Sequence, residues 1–406
     1  MQPLTSPCPY RARAWWGDLL LADTTGAVRV ERGTDPPQLC FPLVDVRLEH
    51  LGPAEPGEGP LGSAAEARSL DGHPVLWAHR AATPTLPSLR DVAVFDHARV
   101  RVELVDGRPG DAPDDVTIKR FPTWGDAADL IDVMDVRPDG DRHYVGVGRA
   151  DGRRPVVEGS QMLGQCLVAA GRHAPGRRPV SAHMVFSRAA DATRPLGFTL
   201  GEVGAGRTFS TLTLAVDQGE RRCATGTVLL DAGAPDVIRH AVPAPAVAGP
   251  HAGQHVDMSV TGRDIRVVDG AYTGDPAAPT GPPTLDAWVK FREVPDDPYL
   301  HAGLLAQFTG HMSIAAALRP HPGIGQDQAH ITLSTAINAI SLSLHAEVRA
   351  DRWMLYHHRS TVAADGMTHS ECRVHDEDGA LLASFTVDAM VRAFADPSRG
   401  DARTAL

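Results

Sequence analysis

One order of elements occurs twice in this chain. In the first occurrence, GSQMLGQCLVAAGRH (159–173) reads as a helix and VSAHMVF (180–186) as a strand containing a histidine. A strand pair follows, RTFSTLTLAV (207–216) and RRCATGTVLL (221–230), around the turn DQGE. In the second, residues 301–318 read as the helix and HITLSTAINAISLSLH (330–345) as the strand. Its pair is RWMLYHHRSTVA (352–363) with THSECRVHDEDGALLASFTVDAMV (368–391). A helix buries its apolar stripe and a strand pair its apolar face, so each block predicts one helix covered by antiparallel strands. The Pro/Gly-rich stretch between them, 241–284, is expected to be a linker that need not pack.

Upstream of the duplication the pattern changes. Residues 10–110 alternate in short runs, such as RARAWW, LLLADT and ARVRVELVDG, punctuated by proline and glycine, which predicts a small all-β domain over residues 1–115. Near Thr123 a helical pattern begins, with Ala127, Leu130, Ile131 and Met134 at steps of three and four. The expected division is therefore 1–115, then 124–240 and 285–398 on either side of the linker. At 406 residues the chain suits two or three domains, each able to bury a core.

Composition removes several classes of function. A net charge of −11 with interspersed signs leaves no broad basic footprint, so nucleic acid is not an expected partner. The five cysteines are scattered and lack CxxC spacing, which predicts neither a disulfide framework nor a zinc site. HAGQH (251–255) and the pair at 357–358 lack a third ligand at metal spacing, and no metal or other cofactor is expected. No stretch approaches 18 apolar residues and no signal-type core follows the N-terminus, so no membrane is expected and a cytoplasmic location is the default.

Several stretches resemble the acyl-CoA thioesterase II family, in its order and near its spacing, across about 124–395. They include EGSQMLGQCL, HMVFSRAADATRPL, IRVVDGAY, WVKFREVPDDPYLHAGLLAQFTG, HPGIG and DEDGALLASFTVDAMVR. The resemblance implies an α+β double hotdog, two long helices each wrapped by antiparallel sheet, with an acyl-CoA or acyl-carrier thioester as substrate. A homo-oligomer is left open. The N-terminal pieces ADTTGAVRVER, FPLVDVRLEHL and AVFDHARVRVEL resemble an uncharacterised small β-rich family. That family has been labelled a nucleotidyltransferase, and no motif here supports the label.

In the thioesterase II family an Asp on the second helix, a Thr or Ser on the next strand and a Gln near the last strand do the chemistry. Matching from DDPYLHAGLLA puts the Asp position on Gly310, and matching from DG to the final Arg puts the Gln position on Val387. Both polar groups are absent. The Thr position falls on Thr335 or, counted back from His345, on Ile337. Ile331, Leu333 and Ile337 are odd-numbered, whereas Ile340, Leu342 and Leu344 are even, so the apolar face switches near Asn338 and a bulge is expected there. Thr335 and Asn338 thereby become candidate catalytic residues.

Within LLAQFTGHMSIAAAL (304–318) Gly310 would sit inside a helix at a cost of about 1 kcal/mol against alanine, unless a ligand or another side chain lies against it. His311 would lie about 100° further round that helix. His311 and Glu158 are the candidate replacements for the missing carboxylate, Glu158 because the resemblance brings the first helix start near the thioester. The backbone N–H groups of Gly159 and Ser160 are candidate carbonyl donors there. Gly159, Ser160, Gly310, Val387 and His183 complete the expected substrate contacts, with core hydrogen bonding the plainer role for His183. Three functions fit this reading: an acyl-thioester enzyme of a specialised pathway rebuilt for non-hydrolytic chemistry, a hydrolase with substitute residues, and a non-catalytic acyl-binding protein.

Overall fold

The computed structural model describes residues 4–8, 11–32, 35–62, 64–82, 89–97, 99–106, 117–121, 127–148, 156–256, 262–275, 277–292, 294–329 and 332–394. The chain forms two compact units, residues 1–128 and 129–406. The segments expected to separate the N-terminal domain from the duplication, near 115 and 124, and the end expected at 398, lie outside the described residues. No described helix is long and apolar enough to cross a membrane.

The first unit is β-rich, as its short alternating runs predict. One antiparallel sheet is built from seven strands, from Leu4–Pro7 at one edge to Glu55–Glu58 at the other, and a second from four, including Arg11–Trp16 and Leu19–Thr24. Ala12, Ala14 and Leu21 of the smaller sheet share a core with Leu39, Phe41, Leu76 and Phe95 of the larger one. The Phe41 and Phe95 rings meet edge to face at 5.2 Å, a favourable aromatic arrangement.

The second unit is the double hotdog. Its helices are α1 (Ala127–Met134), α2 (Gly159–His173), α3 (Pro298–Phe308) and α4 (Ser313–Leu318). The strands of its main sheet fall into two sets. Before the connection are β1 (Arg137–Pro138), β2 (His143–Gly146), β3 (Arg178–Phe186), β4 (Leu196–Ala205), β5 (Phe209–Gln218) and β6 (Arg221–Asp231). After it are β7 (Gln254–His255), β8 (Arg263–Val267), β9 (Thr284–Phe291), β10 (Leu333–Leu344), β11 (Met354–Ala364), β12 (Met367–Asp376) and β13 (Leu381–Ala393). The sheet order is β1-β2-β4-β5-β6-β3-β10-β13-β12-β11-β9-β8-β7. The halves join where β3 pairs antiparallel with β10, Ser181 opposite Ser343 and Val185 opposite Ala339.

Helices α2 and α3 pack together at a close crossing. A Cβ on Gly164 would fall 2.8 Å from Met134 Sδ and against the Gly303 carbonyl oxygen, and one on Gly303 would fall 2.9 Å from Val168 Cγ2. Only a hydrogen at both positions permits this approach. Gln165 Nε2 donates to the Val133 and Val147 carbonyls at 2.7 and 2.9 Å, which ties α2 to the chain on either side of β2.

Two expectations about this unit are corrected. The 241–284 connection is not simply a linker, because β8 within it pairs with β9 in register from Arg263 opposite Phe291 to Val267 opposite Ala287. Arg263, Ile265 and Val267 alternate inward and are buried, which gives that segment a face to pack. Residues 301–318 are not one helix either. α3 starts on an Asp297 cap, whose carboxylate accepts from Tyr299 N at 2.8 Å, with Pro298 next. It ends at Phe308, and α4 restarts after Met312, which takes a left-handed φ of 67°.

Candidate active site

The break between α3 and α4 faces the start of α2. Gly310 lies in the break, so its helix-propensity cost does not apply. A Cβ there would press on Ser160 Oγ, fall 2.9 Å from Ser160 Cβ and 3.2 Å from Ile337 Cδ1. The space a side chain at position 310 would occupy is filled by Ser160, the second residue of α2. Ser160 is fully buried, and its Oγ has no hydrogen-bond partner among the described residues. Gly159 is held from above by Phe186, whose ring carbons would lie 2.9 Å from a Cβ at that position.

The break also redirects His311. A continuous helix would carry it about 100° away from Gly310 along the surface, whereas the turn buries it against the core. Its Nε2 lies 3.1 Å from Arg263 Nη1 and 3.4 Å from Glu158 Oε2. Arg263 Nη1 also donates to Gln307 Oε1 at 2.8 Å, and its guanidinium sits 5.2 Å from the centre of the Phe308 ring. The His311 ring is 4.8 Å from the same Phe308 ring. Glu158 precedes the first residue of α2, and its side chain makes no capping hydrogen bond.

Burial governs the electrostatics. Loss of water pushes the Arg263 pKa down to about 10, and the Glu158 charge opposes that fall, so the guanidinium remains a cation near neutral pH. Burial pushes His311 well below the usual histidine range, with Arg263 and then His358 adding to the fall. A neutral imidazole has one lone pair and one N–H, so Nε2 either accepts from Arg263 or donates to Glu158. The arrangement is a carboxylate at a helix N-terminus, steered by a buried neutral imidazole beside a buried cation.

The strand expected to supply Thr335 and Asn338 carries the expected bulge. Pairing between β10 and β13 passes from Ile337 opposite Ala389 to Ala339 opposite Asp388, which leaves Asn338 as the extra residue. Asn338 follows Ile337, the strand residue nearest Gly310, and Thr335 is buried two residues before Ile337. Val387 is buried opposite Ile340 and offers no donor. His183 does not join the group. It is exposed between buried Ala182 and Met184, with Nδ1 2.8 Å from Ser341 Oγ, where it ties β3 to β10 on the outer face of the sheet.

Sequence reasoning therefore brought Glu158, Gly159, Ser160, Gly310 and His311 to one place but missed Arg263 and Gln307. Arg263 was hidden inside the presumed linker. The signal was present in RDIRV, where the arginine is in phase with Ile265 and Val267.

Residues 150–230 match the acyl-CoA thioesterase N-terminal domain and residues 234–391 the acyl-CoA thioesterase C-terminal domain. Among solved structures, the chain is similar to an acyl-CoA thioesterase II, TesB2, from Mycobacterium marinum. That match has 22% identity and a TM-score of 0.56, over 66% of this chain and 99% of that one. It is also similar to a tesB protein from Mycobacterium avium subspecies paratuberculosis, at 20% identity and a TM-score of 0.55, over 65% and 99% of the two chains. No curated protein matches the chain.

Proposed function

The chain belongs to the acyl-CoA thioesterase II family, and from that premise we propose that it processes acyl thioesters, on coenzyme A or an acyl carrier, by chemistry other than simple hydrolysis. The observation that carries this reading is the grouping of Glu158, His311 and Arg263 beside a Gly310 whose side-chain space Ser160 occupies. The first N–H groups of a helix have no partner inside it, so those of Gly159 and Ser160, aided by the helix dipole, suit the carbonyl oxygen of a thioester. Polarising that carbonyl acidifies the neighbouring carbon and strengthens any electrophile along the acyl chain.

Glu158 then acts as general base. It takes a proton from carbon or from a hydroxyl of the bound acyl group, which leads to isomerisation, dehydration, cyclisation or transfer. His311 orients the carboxylate, and Arg263 supplies the counter-charge. The protein works in the cytoplasm on this reading, in keeping with five free, buried cysteines. One observation favours hydrolysis instead: the Glu158 side chain is 43% exposed, so water can reach it.

The two readings separate on product. With butyryl-, octanoyl- and palmitoyl-CoA, release of free CoA is expected to be hundreds-fold slower than from a relative carrying both the carboxylate and the glutamine. Loss of one oxyanion donor alone costs on the order of 2.7–4 kcal/mol. Mass spectrometry of thioester-retaining products, with Glu158→Gln as the control, identifies the native reaction. Brisk hydrolysis of all three substrates would overturn the non-hydrolytic reading, and an undiminished rate in Glu158→Gln would remove Glu158 from either one.

A further inference from the structure

A second polar group lies behind the first, deeper in the same half. His358 on β11 points inward between buried Tyr356 and Ser360, and the ring is fully buried. It stacks on Tyr356 at 6.3 Å and meets Phe385 edge to face at 5.7 Å. Its Nδ1 lies 3.2 Å from the Oγ of Ser313, the residue that opens α4 two positions after His311. Ser370 Oγ, from β12, donates to the Ser313 carbonyl at 3.4 Å. His358 Nε2 has no hydrogen-bond partner among the described residues.

Ser313 can donate its hydroxyl proton to Nδ1, which satisfies that contact and leaves the ring proton on Nε2. The ring then presents a buried N–H into aromatic surroundings. Burial pushes the His358 pKa down to about 3, with His357 adding to the fall, so the ring offers a hydrogen bond and no charge. A buried donor of this kind is costly unless something accepts from it. The group is also continuous with the candidate active site, because the Phe308 ring lies 4.8 Å from His311 and 4.9 Å from Tyr356, on which His358 stacks.

We propose that His358, set by Ser313, recognises an uncharged oxygen on the acyl chain, so that the substrate class is a hydroxyacyl or oxoacyl thioester rather than a saturated one. This rests on the acyl-thioester reading above and adds to it the residue that selects the acyl group. A neutral imidazole N–H is suited to a hydroxyl or keto oxygen and gives no counter-charge for a carboxylate. Tyr356 and Phe385 surround the ring with apolar surface of the kind that suits hydrocarbon beside that oxygen.

The test uses non-hydrolysable CoA thioethers and calorimetric dissociation constants, so that binding is read apart from turnover. The probes are S-octyl-CoA and its analogues hydroxylated at carbon 3, 5 or 7 of the chain. For the unmodified protein, at least one hydroxylated probe is expected to bind ten-fold or more tightly than S-octyl-CoA. In His358→Val that ratio should fall to near one, and Ser313→Ala, which frees the ring tautomer, should reduce it partway. Equal binding of all four probes to the unmodified protein would overturn the inference and leave the acyl-thioester reading standing, as would a preference that persists in His358→Val. Failure of every probe to bind would overturn both. If His358→Val fails to fold, the preference in the unmodified protein and its response in Ser313→Ala still decide the matter.

Discussion

The two halves of the double hotdog follow one plan and differ at the helix. In the first half α2 runs unbroken for 15 residues, and its N-terminus is left uncapped by the Glu158 side chain. In the second half α3 is firmly capped by Asp297, stops after Phe308, and gives way to α4 through a left-handed Met312. A left-handed non-glycine residue costs about 1–2 kcal/mol, which the surrounding packing must offset. The intact helix contributes its end, and the broken one contributes the side chains that meet that end. His311 reaches Glu158 and Arg263 because the helix does not continue through it.

The contrast predicts where acid attacks first. His311 and His358 are held neutral in the folded second half, well below 6.5 and at about 3, whereas in the unfolded chain each titrates near 6.5. The unfolded state therefore binds more protons as pH falls below 6.5, and stability drops by about 1.4 kcal/mol per pH unit for each group. Two groups give about 3 kcal/mol between pH 6.5 and pH 5, because the full slope is reached only well below 6.5. Urea unfolding across that range, with hydrogen exchange to locate the first opening, should show loss beginning around α4, β11 and β12. In His358→Gln the dependence on pH should flatten in part, because burial also holds His301, His345 and His375 of the same unit below the usual histidine range. A flat profile in the unmodified protein would mean that these rings are not sealed from water.

A somewhat smaller effect is expected from Arg263→Met. It removes the buried cation and leaves Gln307 Oε1 without its donor, at about 1–3 kcal/mol for a buried group orphaned. Urea unfolding should register about 2 kcal/mol of lost stability. A change under 1 kcal/mol would show that the break is held by apolar packing alone.

The smallest predicted change concerns the meeting point itself. If the break were ordinary helix, Gly310→Ala would stabilise the protein by a few tenths to about 1 kcal/mol. Because Ser160 stands where the methyl group must go, the substitution should destabilise by about 1–2 kcal/mol, the usual range for an overpacked site. Ser160→Gly in the same chain should recover most of the loss. Thermal unfolding of the two single variants and the double variant measures the coupling directly, and additive effects would separate Gly310 from Ser160.

The amino-acid sequence by itself determined the duplication, the antiparallel partners of each helix and the bulge at Asn338. These follow from spacing along the chain: helical periodicity for 159–173, alternation for 180–186, and the odd-to-even switch of apolar positions along 333–344. It also places glycine at 310 and valine at 387, the positions that the resemblance matches to the family's Asp and Gln. Tertiary structure alone decided the rest. The apolar pattern of 304–318 is compatible with one helix, whereas the folded chain stops at Phe308 and restarts at Ser313, with Gly310 of the break against Ser160 of α2. Arg263 is adjacent to Glu158 only because β8 folds onto the edge of β9, 105 residues downstream of that glutamate in the chain. His183 has the residue type of a site group and the strand phase of an outer face, and the phase settled its place. Side-chain direction along one element can be read from periodicity, whereas the meeting of side chains from α2, β8, β10 and the α3–α4 break depends on how separate elements pack.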